Sequence, residues 1–141
     1  MSIYVDAGSL FPGNVTSNSA RGIAFSATAY ENLFFGDVCI ITSNGVAKAN
    51  ADSTDTADVL GIALHDAAAD ENVNLLVWGM IDLSSLSPNF TVGGKVYLST
   101  TAGAMTQTPP SGADNAIVVL GIALSANLLL FNPSLVVIEH V

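Results

Sequence analysis

The side chains able to do chemistry are few, and their spacing argues against most of it. Asp52, Asp55 and Asp58 recur at every third position in a polar stretch. A calcium loop of the EF-hand kind needs oxygen ligands at alternate positions, a central glycine and a closing glutamate. Neither the spacing nor those two residues are present, so the three carboxylates read as a solvated loop. Asp66, Asp70 and Glu71 form a second acidic group. It would make a cation site only if folding converged ligands from separate loops, which spacing alone does not reveal. His65 and His140 have no second ligand at metal spacing, and solvent-facing or hydrogen-bonded rings are expected. The expectation is no metal and no cofactor.

Nucleophilic catalysis has no better footing. There is no G-x-S-x-G elbow and no glycine loop of the phosphate-cradling type. Cys39 is the single cysteine, which rules out an intrachain disulfide and a cysteine zinc site and predicts a buried, inert thiol. Trp78 is a candidate stacking platform for a sugar, but its place in "NLLVWGM" favours a core aromatic. The sequons at Asn14 and Asn89 carry weight only in a secreted chain, and the N-terminus "MSIYVDAGSL" lacks the basic region and apolar block of a signal peptide. Synthesis inside the cell and no enzymatic activity are expected.

The charge balance excludes further classes. Twelve acidic residues stand against three basic ones, Arg21, Lys48 and Lys95, for a net charge of −9. No basic patch exists to neutralise phosphates or to meet an anionic membrane, so neither nucleic acid nor membrane is an expected partner. The uncharged run from Ile117 to Ile138 is long enough to span a bilayer. Its "FNPS" interruption and β-branched residues predict buried strands instead.

What must position these residues is a set of short strands. Apolar runs of four to eight residues alternate with Gly, Asn, Asp, Ser and Pro clusters, the pattern of a small β-barrel or sandwich. The Asn44-Gly45 pair marks a tight hairpin turn, and "TPPSGADN" at 108–115 marks an exposed loop. "VLGIAL" occurs at 59–64 and again at 119–124. The repeat extends on both sides: "GDVCI" at 36–40 matches "GKVYL" at 94–98, and "NLLVWG" at 74–79 matches "NLLLFN" at 127–132. Two similar units, about 36–79 and 94–132, are therefore expected inside one β domain of residues 22–141. The first carries an insertion, "HDAAADEN" at 65–72, read as a polar hairpin loop. The continuous apolar strands predict burial on both faces, with Gly61 and Gly121 at bulges or close backbone approaches.

Hydrophobic residues make up 50% of the chain and charged residues 11%, against about 25% charged in typical soluble domains. Part of the surface must be apolar, which predicts a homo-oligomer or a protein held on a larger assembly. Residues 1–21 read as an extended arm of Gly, Ser and Asn around Leu10, Phe11 and Pro12. That anchor either docks on a partner or folds over its own barrel, and composition does not separate the two.

The order "GDVCIITSNGVAKANADSTDTADVLGIALHDAAADENVNLLVWGMIDL", then "GGKVYLSTTAGAMTQTPP", then "VLGIALSANLLLFNPS" resembles the small structural proteins that decorate or cement the capsids of tailed bacteriophages. The resemblance covers about residues 22–138. It implies an all-β module that trimerises on the outside of an icosahedral shell and contacts the major capsid protein, with Leu10, Phe11 and Pro12 as candidate docking residues. The expected function is non-enzymatic decoration and stabilisation of the virion. The alternative is a phage fibre or tail-associated module that binds a receptor or glycan, which would need an exposed aromatic groove.

Overall fold

The computed structural model describes residues 20–141. Among them the regular structure is eleven β-strands and two single 3₁₀ turns, at Thr54–Thr56 and Ser84–Leu86, with no α-helix. Leu10, Phe11 and Pro12 lie outside the described residues.

The local chemistry of the sequence accounts for the strands. β1 (Ala20–Thr28) leads into the hairpin of β2 (Val38–Thr42) and β3 (Gly45–Lys48). Thr42 pairs with Gly45, so the two-residue loop is Ser43–Asn44 and the glycine opens the next strand, one residue earlier than the sequence reading. Thr42 Oγ1 holds the turn by donating to the Gly45 carbonyl at 2.8 Å and accepting from the Asn44 amide at 3.1 Å. β4 (Gly61–Ala63) contains the middle of the first VLGIAL, and β5 (Asn72–Asp82) is the longest strand at 11 residues. β6 (Lys95–Leu98), β7 (Met105–Thr106), β8 (Ala116–Ile117), β9 (Val119–Ala123), β10 (Leu128–Phe131) and β11 (Ile138–Glu139) follow. The run 117–138 is thus built of strands, and no helix among the described residues is long and apolar enough to cross a membrane.

β5 organises the sheet. β1 pairs antiparallel along its length, from Ala20 opposite Ile81 to Thr28 opposite Asn72. A strand has two edges, so β4, opposite Leu75 and Leu76, and β10, opposite Gly79 to Asp82, share the other edge. The principal order is β3-β2-β4-β5-β10-β9-β6-β7, which reads as hairpin, strand, strand from either end. The sheet is all antiparallel and curls into a half-barrel. β8 and β11 pair separately.

One face of the sheet holds the main core. Val38, Ile62, Leu76, Ile81, Val96, Leu98, Leu120, Leu129 and Phe131 meet there, essentially without solvent contact. Each such side chain contributes about 1.5–3 kcal/mol relative to exposure. A second cluster lies on the opposite face of the β2–β4–β5 half and includes Leu33, Cys39, Val46, Ala63, Val73 and Leu75. Its cover is the chain itself. Leu33 and Ala67 exchange backbone hydrogen bonds at 2.8 and 2.9 Å, tying the segment after β1 to the insertion after the first VLGIAL.

That insertion covers one face of the first VLGIAL strand. In the first VLGIAL, Ile62 points into one cluster and Ala63 into the other. In the second, Leu120 is buried, but Ile122 is 43% and Leu124 41% exposed. Only a short Ser-Ala turn follows the second copy, so it has no counterpart of the covering loop. Gly61 and Gly121 do lie at close approaches. A Cβ on Gly61 would stand 2.6 Å from the Leu76 carbonyl oxygen, and one on Gly121 would collide with the Leu130 carbonyl oxygen.

Candidate interaction surface

Of the acidic residues singled out by spacing, Asp66 and Glu71 turn their carboxylates to the backbone. Asp66 Oδ1 accepts from the Phe35 amide at 2.8 Å, and Glu71 Oε1 accepts from the Ala68 amide at 2.7 Å. Ser53 caps a 3₁₀ turn, its Oγ accepting from the Asp55 amide at 3.1 Å. Among the described residues, no three His, Cys, Asp or Glu side chains gather as a metal-binding group. His65 Nε2 accepts from the Asn74 amide at 3.1 Å, which leaves the proton on Nδ1, 3.0 Å from the Asp66 carbonyl oxygen. The main chain of His140 is locked against Asp114 and Asn115. Asn89 sits in an exposed bend, and Asn14 lies outside the described residues.

Sequence spacing did not reveal a cleft of about 390 Å³ lined by Phe34, Asp37, Leu83, Leu86, Gly103 and Met105 among others. The Asp37 carboxylate accepts from the Phe34 amide at 2.8 Å. Burial pushes its pKa up, against that hydrogen bond and the attraction of Lys48. Lys48 Nζ lies 5.5 Å from the centre of the Phe34 ring. Two residues on, Cys39 is buried as expected, and burial aided by the Asp37 charge pushes its thiol up to about 12. A thiol held protonated is a poor nucleophile.

The largest departure from the sequence reading is Trp78. It was expected in the core beside the equivalent position of the second unit, Phe131. Phe131 is fully buried, whereas Trp78 is 42% exposed. The cause is a bulge: Ile23 pairs with Trp78 but Ala24 pairs with Leu76, so Val77 is an extra residue. An extra residue resets which face each side chain takes. Beyond it, Gly79 and Ile81 face the core while Trp78 and Met80 face outward. The alternation of Trp78, Met80 and Asp82 with Gly79 and Ile81 was the available signal, and the surrounding apolar run obscured it.

The register aligns a row across that outer face. Arg21 lies opposite Met80, Met80 opposite Leu130, Leu130 opposite Ile122, and Ile122 opposite Lys95. Directly opposed residues share a face, so three apolar side chains on β5, β10 and β9 run between two of the three cations. Ile23 and Trp78 extend the patch beside Met80. Arg21, Trp78, Gly79, Met80 and Leu130 line a shallow cleft of about 290 Å³ on this face. Sugar recognition needs an aromatic ring among convergent hydrogen-bonding groups. Here Arg21 is the only polar side chain in the lining. Such a face suits a protein partner.

The phage cement protein family matches residues 18–128. This chain belongs to that family. The match runs from just before β1 to the first residue of β10, so the cement protein scaffold includes both VLGIAL strands and the outward-facing β5. No curated protein matches the chain. Family membership makes this a virion structural protein.

Proposed function

We propose that this cement protein decorates the outer face of a phage shell as a non-enzymatic homotrimer, contacts the major capsid protein and stabilises the shell by bridging capsomers. The observation that carries the reading is the family match over nearly the whole sheet. Charge supports the side of the shell: a chain of net charge −9 facing packaged nucleic acid would be repelled by its phosphates, whereas on the outside the same charge aids solubility. Attachment is assigned to the segment before β1, with Leu10, Phe11 and Pro12 as its apolar anchor.

The test is to delete residues 1–19, which leaves β1 intact, confirm folding by circular dichroism and add the variant to undecorated capsids. Burial of one large apolar side chain is worth about 1.5–3 kcal/mol, and three linked arms compound the loss. Occupancy should fall sharply while the fold persists. Wild-type occupancy, or loss of folding, would mean that the segment packs on its own domain.

A further inference from the structure

The outer face of the sheet is covered on one half and open on the other. On the β2–β4–β5 half, Ala29, Leu33 and Ala67 close the second cluster with the chain's own segments. Across β1, β5, β10 and β9, Ile23, Trp78, Met80 and Ile122 are exposed around half-buried Leu130, with no such cover among the described residues. Chain to cover it exists in the sequence. Residues 1–19 precede the described part and hold two apolar groups, Ile3-Tyr4-Val5 and the Leu10-Phe11-Pro12 anchor assigned above to the shell. Asp6 is the one charged side chain among them, which suits a contact whose core is depleted of charge.

The register says which copy that segment meets. Followed backward, β1 passes Trp78 at Ile23, Met80 at Arg21 and Ile81 at Ala20, so the chain leaves its own patch toward the Asp82 end of β5. Val5 lies fifteen positions before Ala20, a reach of roughly 50 Å when extended, against a radius of gyration of roughly 14 Å for a domain of this size. That length carries residues 3–5 clear of their own domain. We infer that residues 3–5 of one copy seat on the Trp78–Met80–Leu130–Ile122 patch of the next, with Ile3 and Val5 toward the sheet, since alternate residues of an extended segment share a side. Contact between unlike surfaces generates a ring when the rotation closes. The inference rests on the homo-oligomer proposed above and supplies its link, while residues 10–12 remain for the shell.

Two variants separate donor from acceptor. Deleting residues 2–6 removes the donor and keeps residues 10–12 and the described domain, whereas Ile122→Glu places a carboxylate on the patch. Both should keep the wild-type circular dichroism spectrum, because neither change touches the core. Each should raise the concentration at which the oligomer half-dissociates by roughly tenfold or more, the factor for burial of one large apolar side chain. At a concentration where each alone sediments at about the 14.4 kDa chain mass, an equimolar mixture should form a complex of about twice that mass, because the first keeps the patch and the second keeps the segment. Trp78, the only tryptophan, reports the seat directly. Its emission should shift to the red when the wild-type oligomer is diluted to dissociation, and the deletion variant should show the shifted emission at every concentration. A wild-type monomer at micromolar concentration overturns the oligomer and this link together. A wild-type oligomer that the deletion does not weaken leaves the oligomer standing and overturns the link. Emission that differs between the monomeric wild type and the monomeric deletion variant places the segment on its own chain and overturns the exchange, as does loss of association without recovery in the mixture. If Ile122→Glu does not fold, the deletion and the emission decide alone.

Discussion

Phe131 and Trp78 occupy matching places in the two repeated segments, yet one is fully buried and the other 42% exposed, and their truncation should separate accordingly. Phe131 is opposed by Gly79 on β5 and Gly121 on β9. With no side chain directly across on either neighbouring strand, little is available to collapse into the space left by the ring. Phe→Ala in a core costs about 3–5 kcal/mol depending on how well the site relaxes, so Phe131→Ala belongs in the upper half of that range. Unfolding entropy scales as about 2.1 cal/mol/K per residue. For 141 residues a loss of about 4–5 kcal/mol then lowers Tm by roughly 13–17 °C. Trp78→Ala removes a side chain whose outer part already contacts solvent, and its cost to the folded chain should be about 1 kcal/mol or less. The assay is thermal and urea unfolding of both variants at several protein concentrations, because association adds stability by mass action. Phe131→Ala should lose stability at every concentration, and Trp78→Ala mainly in the concentration-dependent part. A loss below about 2 kcal/mol for Phe131→Ala, or equal losses for the two, would refute the placement of β5 and β10.

Cys39 should resist iodoacetamide in the native protein at neutral pH and react fully in urea, since its thiol is buried and raised to about 12; rapid native labelling would contradict its environment. Asp37 is raised by burial, so the native state holds its proton more tightly than the unfolded state. Stability from this group is present below the ordinary carboxylate value of 3.8 and is lost as pH rises through the raised value. Asp37→Asn, which retains an acceptor for the Phe34 amide, should flatten that fall in urea midpoints, and parallel curves for variant and wild type would sink the assignment. Duplication of one ancestral unit is our proposal for the repeat. A crystal structure should superpose the backbone of residues 36–64 on that of 94–124 apart from a two-residue loop insertion, and an α-helix in either segment would dismiss it.

Strand content and the doubled segment were legible because short β-branched runs between turn residues have few other solutions. The burial of Cys39 and the tight space at Gly61 and Gly121 were legible for the same local reason. Orientation was not. The bulge at Val77 changes the face taken by the residues on either side of it, and one extra residue in a ladder leaves no mark in composition. The different fates of Ile62 and Ile122 follow from the side each faces, Ile62 into the main core and Ile122 outward beside a register shift that leaves Leu120 as an extra residue. The Arg21-to-Lys95 row joins five strands drawn from residues 20–131. No spacing rule relates such residues, and only the register brings the two cations to the ends of one apolar row.

Copy number in the virion tests the central claim most directly. Quantitative mass spectrometry of purified particles, calibrated against the major capsid protein, should find this chain in hundreds of copies and in constant ratio to the shell. A handful of copies per particle would place it on a tail or fibre and contradict the cement assignment.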